Sequence, residues 1–115
     1  YIYIYIQFNL IYVFSGWLAT LKTKYTEQTK QTGHMMIKRY SWLAERKTFA
    51  GTAVPSGVTS HVAAIVSASQ TICTAIDDCG NLDDFMALWT VPESGNAPID
   101  DWPTASNTVA AYKRI

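Results

Sequence analysis

The first 21 residues contain no Asp, Glu, Lys, Arg or His, whereas seven of the next 26 positions are Lys or Arg. An α-helix rises about 1.5 Å per residue, so about 20 apolar residues cross a hydrocarbon core roughly 30 Å thick. Basic residues after such a segment fix its orientation, because they remain on the cytoplasmic side. Residues 1–21 are therefore predicted to form one membrane-spanning or membrane-buried helix.

Two other interpretations of this segment are open at this point. Residues 1–6 alternate Tyr and Ile, which are both favoured in β-strands. Residues 1–14 could therefore be buried strands of a soluble or secreted α+β interaction module. Alternatively, part of residues 1–34 is translated upstream sequence, since a TA dinucleotide repeat encodes alternating Tyr and Ile and Met35 is the first methionine. Periodicity over so short a run does not separate the three.

Two polar residues, Gln7 and Asn9, interrupt the apolar segment. In a bilayer, each amide side chain needs a hydrogen-bonding partner, which a neighbouring helix can supply. The segment is therefore predicted to contact other subunits of a membrane complex through Gln7 and Asn9, and to contact lipid elsewhere.

The formal net charge of zero conceals three blocks. Residues 1–47 carry seven Lys or Arg and two Glu, residues 48–112 carry seven Asp or Glu and no Lys or Arg, and Lys113 and Arg114 restore neutrality. Such an acidic block repels phosphate, so a nucleic-acid-binding surface is not expected. Three regions are predicted: the membrane segment, a basic region at 22–47, and a small acidic helical domain at 48–115.

The basic region is predicted to begin as an exposed polar linker, residues 22–33, which has no apolar periodicity. Residues 35–49 then show helical spacing of apolar side chains. An amphipathic helix is therefore predicted after the linker. Its Trp42 is a candidate partner contact, because large aromatic residues often anchor interfaces.

The acidic domain is predicted to contain helices at about 59–76, 82–89 and 104–114. Thr59 or Ser60 would cap the first of them. Three of the four prolines fall in residues 90–103, which indicates an irregular surface loop. Trp102 lies at the end of this loop and is the second aromatic candidate for a partner contact.

Residues 77–84 (DDCGNLDD) hold four of the acidic side chains. They do not match a calcium-binding loop, which has Gly at its sixth position and ends with a bidentate Glu. A helix junction is the preferred interpretation, with Gly80 ending one helix in the left-handed conformation and Asn81 capping the next. Neither a metal nor a cofactor is expected. Cys73 and Cys79 flank this junction and either form a small disulfide or remain buried thiols.

No catalytic motif surrounds His34 or His61, and no glycine-rich phosphate loop occurs. The expected function is that of a non-catalytic accessory or structural subunit of a membrane protein complex. Residues 22–115 would then lie on the cytoplasmic, matrix or stromal side. The alternatives are the soluble or secreted α+β module, and a small hydrolase or binding protein that uses His61 with the acidic cluster.

Overall fold

The computed structural model describes the backbone of residues 2–93 and 95–114, and the side chains of residues 16–93 and 95–114. Its helices are α1 (Ile2–Lys38), α2 (Ser41–Ala50), α3 (Ser56–Asp77), α4 (Leu82–Ala87) and α5 (Asn107–Ala110), with a 3₁₀ turn at Pro98–Asp100. The described backbone contains no strand, which confirms the prediction of a mainly α fold. The α+β alternative is wrong, because residues 2–14 belong to α1.

The predicted linker at residues 22–33 is also wrong, since α1 runs through it without a break. Leu18, Leu21 and Tyr25 pack against the body of the protein, and Thr29 and Gly33 continue the same stripe at helical spacing. Thr29 is only 5% exposed, and its hydroxyl donates to the Tyr25 carbonyl at 2.8 Å. Hydropathy does not reveal this stripe, because Thr and Gly are not apolar residues. Packing against α3 therefore stabilises a helix that local sequence did not predict.

Helices α1 and α3 pack side by side in antiparallel directions. Lys22 contacts the C-terminal end of α3, Gly33 lies within contact of Ser69, and Tyr40 stacks on His61. The predicted helix at 59–76 is confirmed, although it begins three residues earlier, at Ser56. The predicted cap at Thr59 or Ser60 is wrong, because both residues lie inside α3, after the N-cap Pro55.

Two hydrophobic clusters lie at opposite ends of the α1–α3 pair. The α4 core lies near the C-terminal end of α3 and contains Ile72, Ile76, Cys79, Phe85 and Leu88. The corner core lies where α1 meets α2 and contains Tyr40, Leu43, Val58 and Val109. The described acidic region is thus held against α1 at both ends.

The helix predicted at residues 35–49 is split in two, because α1 ends at Lys38 and α2 begins at Ser41. The left-handed glycine lies at the end of α2 and not at the acidic junction. Gly51 has a φ of 72°, and its N–H donates to the Lys47 carbonyl at 3.0 Å. Gly80, for which a left-handed conformation was predicted, does not have a positive φ.

The acidic junction itself confirms the predicted cap of α4. The Asn81 side chain accepts a hydrogen bond from the Asp84 N–H at 2.8 Å. The Asp84 carboxylate in turn accepts from the Gly80 N–H at 3.2 Å. One N–H of the first turn of α4, and the N–H of Gly80 just before the N-cap, are therefore satisfied locally.

In the predicted loop at 90–103, residues 90–93 and 95–103 are irregular apart from the 3₁₀ turn, as expected. The last helix is shorter than predicted and is capped by the Ser106 hydroxyl, which accepts from the Val109 N–H at 3.3 Å. Among residues 16–93 and 95–114, no helix is both long enough and apolar enough to cross a membrane. Most of the predicted membrane segment, and the side chains of Gln7 and Asn9, lie outside those ranges.

Candidate functional site

The first charged residue after the uncharged segment has a defined role in the fold. The Lys22 ammonium donates to the Asp77 carbonyl at 2.8 Å and to the Cys79 carbonyl at 3.0 Å. The last carbonyls of a helix have no partner within the helix and carry partial negative charge, so a cation is favourable there. Lys22 therefore caps α3 and links the start of the basic region to the C-terminal end of that helix.

Both cysteines are free thiols, so the structure does not adopt the disulfide alternative. Cys79 is 5% exposed, and its Sγ donates to the Ala75 carbonyl at 3.3 Å. Burial raises the pKa of the Cys79 thiol, the Asp84 and Asp78 carboxylates raise it further, and Lys22 opposes them. A thiol that is buried and kept protonated is a packing residue and a poor nucleophile.

The four aspartates of residues 77–84 are exposed, and Asp84 is engaged in the cap of α4. In the described part of the chain, no group of three or more His, Cys, Asp or Glu side chains is arranged to hold a metal ion. His61 lies 16 residues before Asp77 on α3, which corresponds to about 24 Å along the helix. The alternative that combines His61 with the acidic cluster is therefore wrong, because α3 keeps them apart.

An open cleft of about 370 Å³ lies at the corner between α1 and α2. Four parts of the chain form its walls: the end of α1, the first turns of α3, the Pro-rich loop and the C-terminal segment. The lining residues are Met36, Arg39, Tyr40, His61, Asn96, Asp100, Trp102, Pro103, Thr104, Ala105 and Lys113. We call it the basic cleft, because Arg39, His61 and Lys113 share it.

The C-terminal segment is fastened to this corner by backbone and side-chain hydrogen bonds. The Arg114 N–H donates to the Arg39 carbonyl at 2.8 Å, and the Trp42 indole N–H donates to the Tyr112 carbonyl at 2.7 Å. Lys113 is thereby held beside the end of α1 and the start of α2. The charge blocks of the sequence do not show this pairing, because the two cations are far apart in sequence.

Tyr40 and His61 form the buried wall of the basic cleft. Tyr40 is 4% exposed, and its hydroxyl is buried without a hydrogen-bond partner. Its ring meets the His61 ring edge to face at a centroid distance of 5.6 Å. Burial raises the pKa of the Tyr40 phenol, although the Arg39 charge opposes this. Burial lowers the pKa of His61, and the Lys113 charge lowers it further.

The two tryptophans predicted as partner contacts both make contacts within the chain. Trp42 lies between the Arg46 and Arg114 guanidinium groups, at 5.0 and 4.6 Å from its ring centroid. Trp102 is half-buried, packs against the α4 core, and has its ring edge 3.5 Å from where a Cβ on Gly33 would lie. Trp102 thus anchors the Pro-rich loop to α1 and α3.

Sequence reasoning singled out His61 and Trp102 but missed Arg39, Tyr40 and Lys113 as members of one site. The available signal was weak: Lys113 and Arg114 are the basic residues that follow a long acidic block. Comparison with known proteins gives no match to any family model, curated protein or solved structure. Function is therefore argued from the residues of this chain.

Proposed function

We propose that the chain is a non-catalytic accessory or structural subunit of a membrane protein complex, with its uncharged N-terminal segment as the membrane-embedded part. One observation carries the proposal: the uncharged segment and the helix that packs on the body are a single continuous α1, Ile2–Lys38. A continuous helix transmits position and orientation rigidly between a bilayer and a folded body.

The antiparallel packing supports this arrangement. Because α3 ends beside Lys22, the part of α1 before Leu18 extends past the end of α3. Residues 2–17 rise about 24 Å along the helix axis, compared with roughly 30 Å for a hydrocarbon core. An uncharged helical extension of that length suits a membrane-embedded element.

The end of the extension has the residue types of a membrane interface. The Trp17 side chain is 54% exposed, and tryptophan prefers the boundary between hydrocarbon and water. Lys22 and Lys24 follow within two turns of the helix. Under the charge-bias rule, residues 22–115 would lie on the cytoplasmic, matrix or stromal side. Gln7 and Asn9 would bond to helices of the partner subunits.

Liposome flotation tests the membrane part of the proposal. The full chain is expected to float with vesicles, whereas the double variant Ile6→Lys/Ile11→Lys should stay in the soluble fraction. Each lysine costs about 2.5–3.5 kcal/mol at the centre of a membrane helix, which accounts for the shift. Gln28→Lys/Gln31→Lys is the matched control, because both glutamines are exposed on the packed half of α1. A wild-type chain that remains a monodisperse monomer in plain buffer would contradict the proposal.

The subunit role is tested separately by native electrophoresis of gently solubilised membranes. We expect the wild-type chain to migrate in a larger assembly, and Gln7→Leu/Asn9→Leu to migrate alone while still floating with vesicles. Leucine keeps the segment apolar but removes the amide hydrogen bonds to neighbouring helices. An unchanged assembly in this variant would argue against Gln7 and Asn9 as partner contacts.

A further inference from the structure

The basic cleft contains charged side chains that form no ion pair in the described part of the chain. Arg39, Lys113 and Asp100 are all exposed in its walls, and none of them forms an ion pair within the described part of the chain. The two cations are far apart in sequence, and the hydrogen bond from the Arg114 N–H to the Arg39 carbonyl holds their two chain segments together. The position of Lys113 beside Arg39 therefore depends on the tertiary fold. Surface cations that only increase solubility do not need to be held in one position.

The inner wall of the cleft also has an unused polar group. The Tyr40 hydroxyl is buried and has no hydrogen-bond partner, although a buried hydroxyl without one is costly. His61 packs edge to face against the same ring and lines the same cleft. The hydroxyl is covered by neighbouring groups, whereas the half-buried His61 imidazole can donate a hydrogen bond to a ligand oxygen at the wall of the cleft.

We propose that the basic cleft binds a small soluble phosphomonoester that carries free hydroxyl groups. Arg39 and Lys113 would hold the phosphate, since a guanidinium fork and an ammonium are the usual protein partners of that group. The Asp100 carboxylate accepts hydrogen bonds, so it would face a ligand hydroxyl and not the phosphate. Trp102 would cover an apolar face of the ligand.

A phosphomonoester group could come from a soluble metabolite or from a lipid headgroup. Arg39 lies 17 residues after Lys22 on the chain, and nearly all of that stretch is α1. This places the cleft about 25 Å along the helix from the residue that marks the proposed membrane boundary. A headgroup does not reach that far, so the soluble source is the one inferred.

Calorimetric titration of the full chain in an uncharged detergent tests the site. The soluble probes are inorganic phosphate and ribose 5-phosphate. Binding to a lipid headgroup is measured separately, without detergent, as the gain in flotation when phosphatidic acid is added to phosphatidylcholine vesicles. We expect saturable binding of ribose 5-phosphate in the micromolar to millimolar range, several-fold tighter than that of inorganic phosphate. The Arg39→Gln and Lys113→Gln variants should each weaken binding roughly 10-fold, because each removes a charge-assisted hydrogen bond. Lys30→Gln is the matched control, since it removes one exposed lysine on α1 away from the cleft.

Two further variants separate binding from folding. Tyr40→Phe removes only the covered, unpartnered hydroxyl, so it should leave binding unchanged and should not lower stability, in contrast to Arg39→Gln. Asp100→Asn should abolish the preference for ribose 5-phosphate over inorganic phosphate. The proposal is overturned by any of three results: no saturable heat with either soluble probe, equal weakening in Lys30→Gln, or binding to phosphatidic acid vesicles alone. The choice of a soluble source rests on the proposed function, whereas the heats with the two soluble probes do not depend on how the N-terminal segment behaves in flotation.

Discussion

At the scale of single residues, the environment decides the chemistry of a side chain more than its type does. Cys79 and Tyr40 are both titratable, yet burial raises the pKa of each and keeps it protonated. For His61, burial and the Lys113 charge instead lower the pKa, so the neutral imidazole is favoured.

The lowered pKa of His61 predicts that the free energy of unfolding decreases at acid pH. Its pKa in the folded chain is below the value of about 6.5 expected when unfolded, so the unfolded chain takes up the proton first as pH falls. The contribution of His61 is complete above about pH 6.5 and is lost progressively as pH falls through the lowered pKa. Between neutral and mildly acidic pH, the melting temperature should fall less steeply with decreasing pH for His61→Gln than for the wild-type chain.

The matched control for this prediction is His34→Gln, which changes the other histidine at an exposed position of α1. Its slope should follow that of the wild-type chain. Direct titration of the His61 ring protons by NMR gives the second measurement. A midpoint at or above the ordinary histidine value would show that burial and Lys113 do not act as inferred.

At the scale of elements, the helix ends are satisfied by long-range as well as local partners. α4 uses the local pair of Asn81 and Asp84, which sequence reasoning anticipated for Asn81. α3 instead ends against Lys22, which is 55 residues away in sequence. Local capping can be inferred from a motif, whereas a cap supplied by another helix depends on how the two helices pack.

Lys22→Met should lower the free energy of unfolding by about 1–2 kcal/mol, because two carbonyls at the end of α3 lose a charged donor. Hydrogen exchange should also quicken in the last turn of α3. Lys30→Met is the matched control, since its pairing with Glu27 is exposed and spans 3.7 Å. Denaturant titration by circular dichroism provides the stabilities, and equal effects of the two variants would contradict the capping role.

At the scale of the whole molecule, the described chain is a long helix with a body packed along its C-terminal half. The extents are 73 × 33 × 20 Å, in agreement with a helix of 37 residues that continues past α3. The C-terminal segment closes the body by packing Val109 into the corner core and by bonding Tyr112 to Trp42. Residues 109–112 are therefore part of the fold.

Trp42→Phe should lower the free energy of unfolding by about 1–2 kcal/mol, because it removes the hydrogen bond to Tyr112 and weakens the stacking with Arg46 and Arg114. Hydrogen exchange of residues 109–114 should accelerate with it. Phe49→Leu is the control, as Phe49 is 87% exposed and its replacement should stay within about 0.5 kcal/mol. Unchanged exchange at the C-terminal residues would show that Trp42 does not hold this segment.

Local patterns in the sequence account for most of the helical content of the C-terminal half. The apolar stripe of α3, the Asn81 cap and the proline-rich loop are local signals, because each depends on residues within a few positions of one another. The asymmetry of charge was equally visible. These features set which segments become helices but not how the helices meet.

The helical conformation of residues 22–33 and the cleft that Arg39 and Lys113 share depend instead on tertiary contacts. Thr29 and Gly33 allow α1 to approach α3 closely, yet neither residue has the hydropathy that marks a buried face. Arg39 and Lys113 meet because the corner core folds the C-terminal segment back onto α1. Close packing and long-range contact depend on complementary surfaces from distant parts of the chain, so no local pattern in the sequence contains them.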